Sequence, residues 1–316
     1  MKVVFFGSTE YSVEILKKLK ELNHRLIVFC PPDKRKGRHL RLSPSPVKLF
    51  CLENEIEFFQ PQDINSQQNL EILKKFSPDI FLVCEYGQIF GKEILKIPKI
   101  LPINIHLSLL PKYRGAAPVN WAIIKGETQT GITFHRITLK VDAGEIIYQE
   151  KFPIEVKESS LSLHSKLIKR VTQILPHFLE SLEKGNFRLI PQDEKEASYA
   201  PRLKKEDGLI DWYDTNINIF NKIRGLLPWP TAFSYLETGL LIKFFKADLS
   251  NENFKDFSPS QIVEVKKDSF KIKCGKGNIE ILELQPASKR VMTAKEFICG
   301  YRIKPGLKFI GKNIQD

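Results

Sequence analysis

The stretch Lys2-Val-Val-Phe-Phe-Gly7-Ser-Thr-Glu-Tyr-Ser12 joins a short apolar run to a helix start through a single glycine. Residues 3–6 read as a strand closed by Gly7. Ser8 or Thr9 is available as the N-cap of a helix whose Ile15, Leu16, Leu19 and Leu22 share one face. The alternation continues outward, with strands expected at 26–30, at 80–84 after a helix near 66–76, and at 103–106. Continuous apolar strands separated by helices signal a parallel sheet covered on both faces. Residues 131–137 and 145–152 read as later strands around a turn at Asp142-Ala-Gly144. A long amphipathic helix follows from about 160 to 184, with Leu167, Val171, Ile174, Phe178 and Leu182 on its inner face. Pro176 lacks a backbone donor and is expected to kink or split that helix.

From 190 to 207 the composition turns polar, which reads as an interdomain linker. Beyond it come a helix near 216–226 and short strands at 232–235, 241–245, 261–265, 270–273 and 279–284, the pattern of a small β-barrel. The expected organisation is an α/β catalytic domain over 1–189, a linker over 190–207 and a C-terminal β-barrel domain over 208–316.

A length of 316 residues suits two domains at roughly 150 residues each. No apolar run approaches the roughly 20 residues of a membrane span, and the N-terminus has no signal-peptide h-region. Cys30, Cys51, Cys84, Cys274 and Cys299 are scattered without a CxxC pair, so reduced thiols in a cytosol are expected and no metal site is signalled. The net charge of +12 favours a polyanionic partner. It is concentrated in the stretch 33–48, where Lys34, Arg35, Lys36, Arg38, Arg41 and Lys48 face one acid, Asp33.

The Gly7 loop lacks the second and third glycines of a dinucleotide fingerprint, and no P-loop or HExxH is present. The fourth strand instead ends in Asn104-Ile-His106-Leu-Ser108-Leu-Leu-Pro111. Asn104 and His106 are two residues apart, so they leave the same face of the strand at the carboxyl end where α/β sheets bind ligands. An amide donor beside an imidazole suits an oxyanion and a proton in transit. Asp142, in the turn between the later strands, is a carboxylate able to orient His106 or accept a proton from an attacking amine.

Asn104-x-His106 with Ser108-Leu-Leu-Pro111, Arg114-Gly-Ala-Ala-Pro118 and Asp142-x-Gly144 resembles the folate-dependent formyltransferases. Within that family the chain is similar to the branch acting on methionyl-tRNA. Gly37-Arg38 with Pro44-Ser-Pro-Val-Lys48, Phe59-Gln-Pro61, Glu85-Tyr-Gly87, Ile210-Asp-Trp212, Pro228-Trp-Pro230 and Leu284-Gln-Pro286 carry that likeness, collinear from about residue 3 to 302. The resemblance implies a Rossmann-like formyltransferase domain joined to a smaller C-terminal β-barrel resembling an OB-fold. It implies transfer of the formyl group of 10-formyltetrahydrofolate to the α-amine of methionine on initiator methionyl-tRNA, by a monomer in the bacterial cytosol, without a metal. Asn104 and His106 would stabilise the oxyanion, and Asp142 would polarise the histidine and help deprotonate the amine. The folate would lie along Ser108, Leu109, Leu110 and Pro111 and near Tyr86, Gly87, Gln88 and Ile89. Lys34, Arg35, Lys36, Arg38 and Arg41 would clamp the tRNA. Leu107 and Glu85 stand where the family more often has glycine and a small residue.

Two other readings fit parts of the sequence. Lys112-Tyr-Arg-Gly, Asn120-Trp121 and His135-Arg136 resemble formyltransferases acting on a UDP-linked 4-amino sugar. The charge and the barrel alone would suit a non-catalytic RNA-binding protein. His24, His164 and His177 read as surface or packing residues, and Trp212 and Trp229 as anchors of a domain interface.

Overall fold

The computed structural model describes residues 1–36, 41–250, 252 and 254–311. The chain divides into two compact units: Met1–Gly115, Thr130–Phe152 and His164–Tyr199 form the first, and Ala116–Gln129, Pro153–Leu163 and the chain from Ala200 onward form the second.

The first unit is built on β1 (Lys2–Gly7), β2 (Arg25–Phe29), β3 (Lys34–Lys36), β4 (Arg41–Ser43), β5 (Phe58–Phe59), β6 (Ile80–Cys84), β7 (Leu101–His106), β8 (Gln129–Arg136) and β9 (Ile146–Pro153). Its helices are α1 (Glu10–Glu21), α2 (Pro46–Glu53), α3 (Gln67–Phe76), the short α4 (Lys92–Leu95) and, beyond α5 (Pro118–Ile124) of the second unit, most of α6 (Ser160–Glu183). The sheet order is β5-β2-β1-β6-β7-β8-β9. Strands β5 to β7 are parallel, and β8 runs antiparallel to β7 with Asn104 opposite His135. The Rossmann-like parallel core therefore carries an antiparallel extension on the side of the site.

Local chemistry accounts for these elements. Thr9 caps α1 in a reciprocal capping box with Ser12, and Glu10 and Lys18/Lys20 match the helix dipole at its two ends. Ser45 caps α2 with Pro46 in its first turn. Strands β1 and β6 are buried on both faces, and Phe6 packs against Phe29, Phe81, Tyr86 and Phe90. Helix α6 is continuous through Pro176, so the expected split does not occur. The proline costs a hydrogen bond, but Leu167, Val171, Leu175, Phe178, Leu179 and Leu182 are buried on either side of it, and that apolar stripe holds the helix together.

The second unit holds α5, α7 (Asn216–Gly225), α8 (Ala294–Tyr301) and β10 (Ala232–Leu236), β11 (Leu241–Ser250), β12 (Ile262–Val265), β13 (Phe270–Lys273), β14 (Asn278–Pro286), β15 (Met292–Thr293) and β16 (Phe309–Ile310). The order β12-β13-β14-β11-β10-β16 is antiparallel at every step. A bridge between Gln261 and Lys308 joins the two ends of this sheet, with Ile262 N donating to Leu307 O at 2.9 Å, so it curls into a barrel. Trp212, 1% exposed, sits in the barrel core against Phe244 and Phe309 and donates its indole N–H to Ser234. Trp229 is 54% exposed.

Candidate active site

Strand β7 delivers Asn104 and His106 to its carboxyl end, and the β8–β9 turn brings Asp142 to meet them. Asp142 has a φ of +50°, a left-handed conformation unusual for a non-glycine residue. Its Oδ2 accepts the Gly115 backbone N–H at 2.8 Å and lies 3.7 Å from His106 Nδ1. Its Oδ1 accepts a hydrogen bond from Asn104 Nδ2 at 3.3 Å and lies 3.4 Å from His135 Nε2. Asn104 and His106 thus converge on the Asp142 carboxylate, and His135 joins them from β8.

The tautomers follow from the partners. His106 Nε2 is 2.8 Å from the Tyr113 carbonyl oxygen, and His135 Nδ1 is 2.9 Å from that of Arg136. A carbonyl only accepts, so each of these ring nitrogens carries the hydrogen. In the neutral rings the other nitrogens, His106 Nδ1 and His135 Nε2, present lone pairs toward Asp142. Asn104 Nδ2 then donates to His135 Nε2 at 3.1 Å. Burial drives the His106 imidazole below its ordinary range, the Asp142 charge opposes that shift, and His135 adds to it. Burial pushes the Asp142 carboxyl up, but the His106 and His135 rings, protonated at the acid pH where this carboxyl titrates, and the Gly115 N–H outweigh it and hold it at about 2. At neutral pH the cluster is therefore an ionised carboxylate beside a neutral His106.

The loop 108–111 is fixed from below. Ser108 Oγ donates to Lys112 O at 2.6 Å, Thr133 Oγ1 donates to Ser108 O at 2.6 Å, and Gln149 Nε2 donates to Leu110 O at 2.9 Å. Ser108 and Leu110 are buried, and Leu109 and Pro111 are half-buried. In the loop after β6, Tyr86 is 4% exposed with its ring in the aromatic core, and Gln88 bonds Ile64 N and Pro61 O. Gly87 and Ile89 are exposed. Of the eight residues expected along the folate, Tyr86, Ser108, Leu110 and Gln88 thus have side chains engaged within the protein.

Glu85 does not stand free in that loop. Its carboxylate accepts from Thr9 Oγ1 and pairs with His164 Nε2 at 2.7 Å, while Tyr11 stacks on the His164 ring at 3.7 Å. Burial raises the Glu85 carboxyl, yet His164 and Thr9 bring it below its ordinary value. His164 therefore has a partner that the sequence did not reveal, because Glu85 lies 79 positions away.

In the basic stretch, β3 and β4 pair antiparallel, with Lys34 opposite Ser43, Arg35 opposite Leu42 and Lys36 opposite Arg41. Arg38 lies outside the described residues. Lys48 turns back to Asp33 at 2.7 Å. Among the described residues no group of three or more His, Cys, Asp or Glu is placed to hold a metal ion, and no helix is long and apolar enough to cross a membrane.

The chain that carries this cluster is a member of the formyl transferase family: the formyl transferase model matches residues 1–179 and the C-terminal domain model matches residues 202–302. Its relatives include the methionyl-tRNA formyltransferase of Geobacter sulfurreducens, 36% identical over 309 residues that cover 98% of this chain and 96% of the relative. That of Caldanaerobacter subterraneus is 39% identical over 310 residues, covering 97% and 99%. Among solved structures, WlaRD, a sugar 3N-formyl transferase crystallised with dTDP and 5-N-formyl-THF, matches with a TM-score of 0.67 and 24% identity over 92% of this chain and 99% of that one, a likeness of fold.

Proposed function

We propose that this protein transfers the formyl group of 10-formyltetrahydrofolate to the α-amine of methionine on initiator methionyl-tRNA, in the cytosol. The observation that carries this reading is the near full-length similarity to methionyl-tRNA formyltransferases, through both the catalytic and C-terminal family regions.

In the proposed reaction the methionyl amine attacks the formyl carbon, and negative charge develops on the formyl oxygen. Asn104 turns an Nδ2 hydrogen from its present acceptors to that oxygen, the role a preorganised amide donor fills in acyl transfer. The amine proton passes to His106 Nδ1, where the Asp142 carboxylate offsets the imidazolium charge. As the carbon–N10 bond breaks, the same proton goes to N10, which leaves as tetrahydrofolate. An ionised Asp142 beside a neutral His106 is the starting state this cycle requires. The folate is assigned to the 108–111 and 86–89 loops, through their backbone groups and the accessible Gly87, Ile89 and Leu109. The basic residues Lys34, Arg35, Lys36, Arg38 and Arg41 are assigned to tRNA phosphates.

The test is to incubate the protein with 10-formyltetrahydrofolate and methionyl initiator tRNA and count formyl-methionine per enzyme per minute. Catalytic transfer, absent in Asn104→Ala, supports reaction and site together. Transfer to a UDP-linked 4-amino sugar instead overturns the substrate. Binding of tRNA with no transfer to either acceptor leaves an RNA-binding protein.

A further inference from the structure

The polar segment 190–199, which reads as a linker in the sequence, is threaded through the first unit at the back of the Asp142 turn. Ile190 pairs with Ile146 at the start of β9, with N–H to O distances of 2.9 and 2.8 Å, and Tyr199 bridges Arg114 at the other end. Between them Gln192 spends its whole amide on the site. Its Nε2 donates to the carbonyl oxygens of Asp142 at 2.9 Å and Gly144 at 2.6 Å. Its Oε1 accepts from Arg114 Nε at 3.1 Å and Nη2 at 2.7 Å.

Arg114 is 1% exposed, and its guanidinium also reaches both oxygens of Glu194. Its neighbours in sequence are the two backbone groups that touch the candidate catalytic residues: the Tyr113 carbonyl accepts from His106, and the Gly115 N–H donates to Asp142. Ser198 closes the frame, accepting Tyr113 N–H on its Oγ at 2.9 Å and Arg114 N–H on its carbonyl at 2.8 Å. One strap therefore holds both the loop that grips His106 and the turn that carries Asp142, and Gln192 is the piece that joins them. The Asp142 backbone is in the left-handed region, with φ +50°, uncommon for a non-glycine residue although aspartate tolerates it. Two hydrogen bonds to the carbonyls of this turn come from the Gln192 amide.

We propose that Gln192 is a positioning residue for formyl transfer, keeping the Asp142 carboxylate at its working distance from His106 by tying the Asp142–Gly144 turn to Arg114. The proposal rests on the role assigned to Asp142 above. Removing the tie leaves Asp142 in the chain but releases its turn, so substrate affinity is kept while the geometry of proton transfer degrades; displacements of about 1 Å in such sites cost about a hundredfold in rate.

The experiment compares wild type, Gln192→Ala and Gln192→Glu. The glutamate keeps oxygen acceptors for Arg114 but has no donor for the Asp142 and Gly144 carbonyls, which guards against a loss of fold in the alanine variant. Steady-state formylation of methionyl initiator tRNA is measured together with an NMR titration of the His106 ring in wild type and Gln192→Ala without substrate. The expected result is a kcat lowered ten- to a hundredfold in both variants, KM for folate and tRNA within twofold of wild type, and a His106 midpoint moved downward in Gln192→Ala as the carboxylate drifts off. A folded variant with kcat within twofold of wild type overturns the proposal, and so does a rate loss with the His106 midpoint unmoved. An inactive wild type defeats the reading of function, while the titration still reports on the tie.

Discussion

His106 gives its Nε2 hydrogen to the Tyr113 carbonyl at 2.8 Å, which leaves Nδ1 as the nitrogen that faces Asp142. A proton taken up by this ring therefore arrives on the side of the carboxylate.

That relationship predicts the titration of the ring. Burial lowers the His106 pKa from its ordinary 6.5, and the Asp142 charge opposes the shift. The His106 midpoint in an NMR titration is expected below 6.5, and lower still in Asp142→Asn. The sign for stability follows: the unfolded ring takes its proton first as pH falls, so His106 costs stability from about 6.5 downward and has no effect above it. Asp142 adds a second acid loss, since its folded value of about 2 lies below the ordinary 3.8, and its contribution fades as pH falls from 3.8 toward 2. A His106 midpoint above 6.5 contradicts the arrangement.

Asp142→Asn is expected to keep both substrate KM values and lose about 10²–10⁴ in kcat, the range of a lost acid–base partner. The asparagine still fits the turn and still accepts the Gly115 N–H, so the fold is expected to hold. A stable, fully active variant removes the carboxylate from the mechanism.

Asn104→Ala is expected to lose about 10²–10³ in kcat, the cost of one oxyanion donor. His135→Phe tests the group that turns the Asn104 amide, through the 3.1 Å bond from Nδ2 to Nε2. A smaller loss of about tenfold is expected there, because the amide remains and only its aim is relaxed. Equal losses at the two positions would make His135 a participant in its own right.

Much of this was legible in the sequence for a local reason. Strand periodicity places Asn104 and His106 on one face, and apolar runs at 3–6 and 80–84 announce a buried sheet. What stayed hidden depends on long-range pairing. His135 lies in a β-strand pattern indistinguishable from packing until β8 is set opposite β7. The Glu85–His164 pair spans two elements that nothing local connects. Gln192 stands in a polar, proline-flanked stretch whose composition is that of a linker, and only the fold shows its amide filled by Asp142, Gly144 and Arg114. Pro176 is the opposite case: its local cost was visible, whereas the burial that keeps the helix in one piece through it was not.

The basic ribbon gives a prediction about salt. Lys34→Ala combined with Arg35→Ala is expected to raise the tRNA KM, leave the folate KM unchanged and reduce the slope of log affinity against log salt by about 1.4–1.8, for two phosphate contacts. A change in folate affinity instead would move the ribbon to the other substrate.

Gly144 tests how tightly the Asp142 turn is packed. A Cβ at that position would lie 1.8 Å from the Arg136 carbonyl oxygen and 3.0 Å from Thr138 Cγ2, so a backbone atom, which cannot swing aside like a side chain, has to move. Gly144→Ala is expected to cost about 1–3 kcal/mol by overpacking. It should also lower kcat, because the displaced chain carries Asp142 two residues earlier and an acceptor of Gln192. Gly300→Ala, in helix α8, provides the contrast: its Cβ meets no atom within 4 Å, and replacing a helical glycine is expected to stabilise by about 0.5–1 kcal/mol. Thermal melts and formylation rates of the two variants, measured side by side, separate a steric limit at the Asp142–Gly144 turn from the general effect of replacing glycine. Wild-type rate and melting temperature in Gly144→Ala would show that the turn has room this structure does not give it.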